Sequence, residues 1–158
     1  MSFQDFENYV VVITGASTGL GRALAVETAR RGAVDVVINF ARSAEEAETT
    51  ASLVRAEGAR AHLVQGDVSR DEDCRTIAAA AASLGRVDAL FNNAGVTKFA
   101  QNHADLDAVS AEDFLGLYAV NVASWKPRPS LELWSTPRPS PAWRGSARPC
   151  PTQRPRAP

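Results

Sequence analysis

Short apolar runs alternate with longer amphipathic segments along most of this chain. Four runs predict strands: the first is apolar throughout, as expected for a strand that is buried on both faces of a sheet, and the second also predicts a buried strand. These predicted strands are Tyr9–Thr14, Val34–Phe40, Ala61–Gln65 and Val87–Asn92. Segments with helical patterning follow each of them, and these predicted helices are Leu20–Arg31, Ser43–Glu57, Ser69–Gly85 and Ser110–Val122.

Start and stop signals support the predicted helices. Two segments begin with the pattern of a capping box, Ser43–Glu46 and Ser69–Glu72, and Ser110–Asp113 caps the last helix. Gly32 and Gly58 follow the first and second helices, where a glycine commonly ends a helix.

The alternation of strands and helices predicts the fold class. Strands that alternate with helices of this length form right-handed βαβ units with a parallel sheet. We expect an α/β, Rossmann-type doubly wound sheet with strand order 3-2-1-4. Residues 1–125 would contain its first half alone, a truncated dinucleotide-binding domain.

Composition divides the chain near residue 125. All nine prolines and all three tryptophans of the 158 residues lie at or after Trp125. Residues 1–125 carry ten Lys and Arg against seventeen Asp and Glu, whereas residues 126–158 carry seven against one. The net charges are therefore −7 and +6. We interpret residues 126–158 as a separate, irregular tail rich in proline and arginine.

Three interpretations of the tail stay open at this point. Proline-rich basic segments adopt extended conformations that dock into aromatic grooves of partners. The same composition is typical of disorder. Translation of a GC-rich gene in a shifted frame also yields Pro, Arg, Ser, Ala and Trp, and we favour this interpretation because the composition changes where the strand-helix pattern stops.

The overall composition excludes several classes of protein. A net charge of −1 indicates no nucleic-acid partner, and no run approaches the ~20 apolar residues of a membrane span. Two cysteines and the lack of a basic, apolar leader favour the reducing cytoplasm. His62 and His103 have no partners at ligand spacing, so we expect no metal site.

A glycine-rich motif lies between the first strand and the first helix. Its spacing, T-G-x-x-x-G-x-G, would let the chain turn off the strand, approach a pyrophosphate closely and pack the helix on the sheet. The N-terminus of the helix would offer N–H groups to the anion. The motif comprises Thr14, Gly15, Ala16, Ser17, Thr18, Gly19, Leu20 and Gly21.

This motif resembles that of the short-chain dehydrogenase/reductase family, and three later features match the family in the same order. Gly66-Asp67-Val68 follows strand three, where the family contacts the adenine ring. Asn92-Asn93-Ala94-Gly95 closes strand four, where the family's N-N-A-G lies along the cofactor. Asn121 matches the helix asparagine of the family's catalytic tetrad. The 3-oxoacyl-carrier-protein reductase-like branch is the most similar.

The end of strand two predicts the cofactor. An acid about 20 residues after the glycines would bind the 2′-hydroxyl of NAD. Here Phe40 lies nineteen residues after Gly21, no acid is adjacent, and Arg42 and Ser43 follow. Arginine can bind a 2′-phosphate with its forked donors, so we predict NADP in preference to NAD. Thr18 departs from this pattern, because many NADP-dependent members have a basic residue there.

The resemblance implies hydride transfer between NADP(H) and a carbonyl or alcohol group of a small molecule, usually in a homo-oligomer. The family uses a serine and a Tyr-x-x-x-Lys pair for this reaction. Neither Tyr9 nor Tyr118 has a lysine four residues later, so Asn121 is the tetrad member that remains. We expect the chain to be catalytically incompetent. It would then be a non-catalytic NADP-binding or regulatory protein with a partner-binding tail, or the non-functional product of a frameshifted gene.

Overall fold

The computed structural model describes residues 5–99 and 108–122 of the chain. The tail at 126–158, with its three interpretations, lies outside the described residues. The strands are β1 (Val10–Ile13), β2 (Asp35–Phe40), β3 (Arg60–Gln65) and β4 (Ala89–Phe91). The helices are α1 (Gly19–Arg30), α2 (Ala44–Ala56), α3 (Asp71–Ala82) and α4 (Ala111–Asn121).

The four strands form one parallel sheet in the order β3-β2-β1-β4, which confirms the predicted α/β fold and strand order. Val11 aligns with Val36 of β2 on one side and with Ala89 of β4 on the other. β4 is shorter than predicted at both ends, and just before its start the Asp88 carboxylate accepts the Val10 N–H at 2.8 Å. All four carboxyl ends therefore lie along one edge of the sheet.

Both faces of the central strands are buried by helices. Val11 and Ile13 pack with apolar residues of α1 and α2 on one face, and Val12 packs with Ile77 and Ala81 of α3 on the other. Complete burial of a Val or Ile side chain stabilises a fold by about 1.5–3 kcal/mol. This two-sided burial explains why β1 and β2 are apolar runs rather than alternating strands.

The predicted cap at Ser110–Asp113 is confirmed, and it forms a capping box. The two predicted capping boxes, at Ser43 and Ser69, are wrong. Ser43 occupies the N-cap of α2 but makes no side-chain cap bond, and its ψ of 71° departs from the extended backbone that capping geometry requires. α3 begins one residue later than predicted, with Arg70 at the N-cap, because the Ser69 hydroxyl donates to Asp67 instead (2.7 Å).

A charged cluster lies at the amino end of the sheet, opposite the edge where the carboxyl ends meet. The Asp35 side chain is 5% exposed, and its two oxygens accept from Nε and Nη2 of Arg60 at 2.7 and 2.6 Å. His62 Nε2 lies 2.7 Å from Asp35 Oδ1. The hydrogen bonds from Arg60 and then His62 hold the pKa of Asp35 below its ordinary value. Asp35 thus links the start of β2 to the start of β3 through its hydrogen bonds.

An Asp35→Asn substitution is expected to lower the free energy of unfolding by about 1–2 kcal/mol at pH 7, because it removes a charged hydrogen-bond acceptor. A carboxyl group whose pKa is lowered by folding stabilises the folded state at pH values above its unfolded pKa of ~3.9. This contribution is lost as the pH falls through the folded-state pKa. The deficit should therefore shrink in urea unfolding below about pH 4. Glu48→Gln, whose pair with Arg55 is half exposed, is the control and should have little effect at either pH. A pH-independent deficit would contradict this assignment.

Candidate functional site

A cleft of about 610 Å³ opens where the carboxyl ends of the strands meet. Residues from the glycine motif, the end of β2, the turn after β3, the loop after β4 and α4 surround it. The lining residues are Gly15, Ser17, Thr18, Asn39, Ala41, Arg42, Ser43, Gly66, Asp67, Val68, Ser69, Asn93, Ala94, Gly95, Val96, Gly116, Ala119 and Val120.

Most of the predicted cofactor-binding residues are brought together at this cleft, and the others support it or lie outside it. Thr14, Ala16 and Gly21 are buried below the cleft and do not line it. Leu20 is 69% exposed and does not line the cleft. Asn121 does not line it either.

Two glycines of the motif allow contacts that any side chain would prevent. Gly15 has a φ of +62°, and a Cβ there would lie 2.8 Å from the Ala94 Cα. A Cβ on Gly21 would lie 2.4 Å from the Gly15 carbonyl oxygen. The first turn of α1 therefore packs directly on the turn that leaves β1, as the sequence predicted for the last glycine.

Thr14 and Asn93 join the glycine loop to the loop after β4. The Thr14 hydroxyl oxygen accepts from the backbone N–H groups of Asn93 and Ala94 at 3.1 and 3.0 Å. The Asn93 side chain donates to the Thr14 and Gly15 carbonyl oxygens, both at 3.0 Å. The side-chain amide of Asn93 therefore stabilises the turn after β1. Asn93 also lines the cleft.

Asn39 is a supporting residue that the sequence prediction missed as part of the site. It is 1% exposed, accepts from the Gly15 N–H at 3.2 Å and donates to the Val64 and Gly66 carbonyl oxygens. One amide therefore ties the glycine turn to the exit of β3. The available signal was a polar residue within the apolar run Val36–Phe40, since a buried amide needs partners for all its polar atoms.

Asp67 faces Arg42 across one end of the cleft. Asp67 Oδ1 accepts from the Ser69 hydroxyl at 2.7 Å and from the Ser69 N–H at 2.9 Å. These two bonds, with weaker contributions from the charges of Arg42 and Arg70, lower the pKa of Asp67. The carboxylate is therefore an acceptor at neutral pH. Arg42 is exposed and forms no ion pair within residues 5–99 and 108–122.

Asn121 anchors the loop after β4 to α4. Its Oδ1 accepts from the Val96 N–H at 2.9 Å, and its Nδ2 donates to the Val96 carbonyl oxygen at 2.8 Å. At the other end of the helix, Lys98 pairs with Asp113, and this hydrogen bond together with those from the Ser110 N–H and hydroxyl lowers the pKa of Asp113 to about 2. Both contacts hold the wall of the cleft formed by Gly95 and Val96.

The residues at the cleft fit a dinucleotide. A Cβ on Gly19 would meet nothing within 4 Å, so the loop leaves open space at the start of α1. The first turn of α1 contains no acid, and N–H groups at a helix N-terminus favour an anion such as a pyrophosphate. Asp67 would offer an acceptor to an adenine amino group, and Arg42 would offer donors to a ribose phosphate.

Residues 5–99 and 108–122 contain no group of three or more His, Cys, Asp or Glu side chains placed to hold a metal ion. Within the same residues, no helix is both long and apolar enough to cross a bilayer.

Comparisons with known proteins agree with this geometry. A relative from Bacillus subtilis, the short-chain dehydrogenase/reductase homolog YusS, is 37% identical over 105 residues, which cover 66% of this chain and 92% of that protein. The L-rhamnose 1-dehydrogenase (NAD(P)(+)) of a Sphingomonas species is 42% identical over 102 residues, 64% of this chain and 39% of that enzyme.

A solved structure is similar as well. The crystal structure of a short chain dehydrogenase from Burkholderia cenocepacia in complex with NADP superimposes with a TM-score of 0.69 and 32% identity, covering 75% of this chain and 47% of that one. This chain therefore spans about half the length of that relative. A family profile described as short chain dehydrogenase matches residues 9–125. The chain belongs to the short-chain dehydrogenase family.

Proposed function

We propose that this chain binds NADP(H) in the cleft at the carboxyl edge of its sheet. The glycine loop from Gly15 to Gly19 would hold the pyrophosphate with the N-terminus of α1. Asp67 would accept from the adenine, and Arg42 with Ser43 would bind the 2′-phosphate. When bound, this cofactor supplies or accepts a hydride.

The proposed preference for the phosphorylated cofactor rests on the position of Arg42. Arg42 follows β2 by two residues, lines the cleft and is close enough to Asp67 for its charge to lower the pKa of that carboxyl. Phe40 and Ala41 occupy the positions where an acid would bind a 2′-hydroxyl. An arginine at this position with no acid beside it in the sequence favours a phosphate over a hydroxyl group.

The relatives support the proposal at a coarser level. The Burkholderia structure contains NADP, and the Sphingomonas enzyme is named for both NAD and NADP. The family reaction would be hydride transfer between the nicotinamide and a small carbonyl or alcohol substrate, in the cytoplasm and in a homo-oligomer. We propose that this chain retains the nucleotide-binding part of that function and has no turnover by itself.

The composition of residues 126–158 favours a second candidate function. A net charge of +6 with nine prolines suits a segment that binds an acidic or aromatic partner, which would make the chain a non-catalytic NADP-binding regulator. The same segment is also what a shifted reading frame would produce. The nucleotide sequence separates these two origins, because a shifted frame would restore a serine and a Tyr-x-x-x-Lys pair downstream of about codon 123.

An Arg42→Ala substitution is expected to weaken NADPH binding about tenfold or more, since a hydrogen bond to a charged group contributes about 1.5–3 kcal/mol. NADH, which lacks the 2′-phosphate, should bind with nearly unchanged affinity. Titration calorimetry of both cofactors against both proteins measures the two changes.

The matched control is Arg75→Ala, which removes an exposed arginine paired with Asp71 on α3, away from the cleft. It should alter neither affinity. Equal losses of NADPH and NADH affinity in Arg42→Ala would show that Arg42 does not recognise the 2′-phosphate. This result would contradict the proposed preference for NADP.

A further inference from the structure

Arg22 forms a bridge between the glycine loop and α2, two elements that contact different parts of the proposed ligand. It lies in the first turn of α1, and its side chain is 27% exposed. Its Nε and Nη2 donate to the Ser17 carbonyl oxygen at 3.1 and 2.7 Å. Nη2 also donates to the Glu46 carbonyl oxygen at 3.2 Å and pairs with the Glu46 carboxylate.

Thr50 completes this bridge from within α2. Its side chain is fully buried, and its hydroxyl accepts from Arg22 Nε at 2.9 Å. The same hydroxyl lies 3.0 Å from the Ser17 carbonyl oxygen and 3.1 Å from that of Glu46, so its proton can be donated to either. One guanidinium and one hydroxyl thus hold the middle of the glycine loop against the first two turns of α2.

The bridge determines which way the Ser17–Thr18 peptide faces. In a planar trans peptide the carbonyl and the following N–H point in opposite directions. The Ser17 oxygen is directed toward Arg22 and Thr50, so the Thr18 N–H is directed away from them. Thr18 lines the cleft, and its N–H has no acceptor within residues 5–99 and 108–122. The loop therefore turns an N–H, rather than a carbonyl oxygen, toward the place of an anion.

The same bridge fixes the spacing between two anion-binding points. Glu46 is three residues after Ser43 and four after Arg42, within the first turn of α2. A dinucleotide with a 2′-phosphate must contact the glycine loop with its pyrophosphate and Arg42 with its ribose phosphate at the same time. A dinucleotide with a 2′-hydroxyl needs the glycine loop alone.

We propose that Arg22 is a positioning residue that couples the glycine loop to the start of α2 and thereby sets the preference for a 2′-phosphorylated dinucleotide. This inference rests on the proposed function, since it concerns the same cleft. Arg22 acts through Ser17 and Glu46, and it has no contact of its own with the cofactor.

The test compares NADPH and NADH affinities by titration calorimetry for the whole chain and for Arg22→Gln. If Arg22 has a purely structural role, the substitution should weaken the binding of both cofactors by the same factor. If it couples the two elements, the substitution should reduce the NADPH-over-NADH preference by about tenfold, the value of one charged hydrogen bond. In an Arg42→Ala background, Arg22→Gln should change this preference no further, because the second anion-binding point is already absent. Arg55→Gln, an exposed arginine on α2 paired with Glu48, is the matched control and should leave the preference unchanged.

Glu46→Gln provides a second variant if Arg22→Gln does not give a folded circular-dichroism spectrum. The Glu46 side chain is 52% exposed, so its replacement removes the ion pair with little effect on packing. It should lower the preference by about threefold, and an unchanged preference overturns the inference. If the wild type prefers NADPH and Arg22→Gln keeps the same preference, the inference about Arg22 is overturned and the proposed function is not. A wild type that binds neither cofactor, or both equally, overturns the proposed function together with it.

Discussion

A Gly21→Ala substitution is expected to abolish tight dinucleotide binding and to lower the free energy of unfolding by about 3 kcal/mol, the upper range for forcing an extra methyl group into a packed site. The new Cβ would lie 2.4 Å from the Gly15 oxygen, 2.6 Å from Asn93 Nδ2 and 2.8 Å from the Ala16 Cα. Two of these three atoms are backbone and cannot change rotamer.

Relief of this clash would have to displace the turn after β1. That turn is held by Asn39, which accepts from the Gly15 N–H at 3.2 Å, and by the close approach of Gly15 to Ala94. Movement of the turn breaks the Asn93 bonds to Thr14 and Gly15 as well. The same displacement would move the N-terminus of α1 away from the pyrophosphate, so stability and binding should be lost together.

Urea unfolding and calorimetry with NADPH measure the two losses. Gly116→Ala is the control for stability, because a Cβ at Gly116 on α4 meets nothing within 4 Å. Alanine in place of a helical glycine should stabilise the chain by about 0.5–1 kcal/mol. If Gly21→Ala unfolds at the same urea concentration as the wild type, the close packing of α1 on the turn is not a requirement of this fold.

The sheet could be predicted from the sequence because its central strands leave few alternatives. β1 and β2 are buried on both faces, so their residues are apolar at every position apart from Asp35 and Asn39. Each strand is followed by a helix, and right-handed crossovers then restrict the strand order. The strand ends were harder to predict, as β4 shows: before its first residue, the Val10 N–H is bound by the Asp88 side chain, a contact that an apolar pattern does not reveal.

Most residues of the glycine motif could be placed in or beneath the cleft, because the motif depends on local backbone geometry. The supporting residues could not, because their partners are distant in sequence. Arg22 contacts Glu46 and Thr50, which are 24 and 28 residues away, and Asn39 contacts residues 24 to 27 positions away. The two predicted capping boxes failed for a local reason instead, since at Ser69 the neighbouring Asp67 carboxylate competes with the helix for the same hydroxyl.

No measurable reductase turnover is expected from this chain with NADPH and any simple ketone, aldehyde or acyl thioester. Positioned proton transfer contributes about 10²–10⁴-fold to such reactions, and the chain has no tyrosine followed four residues later by a lysine. Tyr118 on α4 is 46% exposed, and Lys98 pairs with Asp113.

Asn121 cannot take over the missing acid-base role. Both polar atoms of its side chain bind the Val96 backbone, and an amide does not titrate. The assay follows the absorbance of the reduced nicotinamide, with an intact short-chain dehydrogenase as the positive control. Gly21→Ala, purified in the same way, separates a contaminant from the chain itself. Activity that is equal in both preparations belongs to a contaminant, whereas turnover in the wild type that Gly21→Ala removes would show that this chain performs the chemistry with residues outside the family's tetrad.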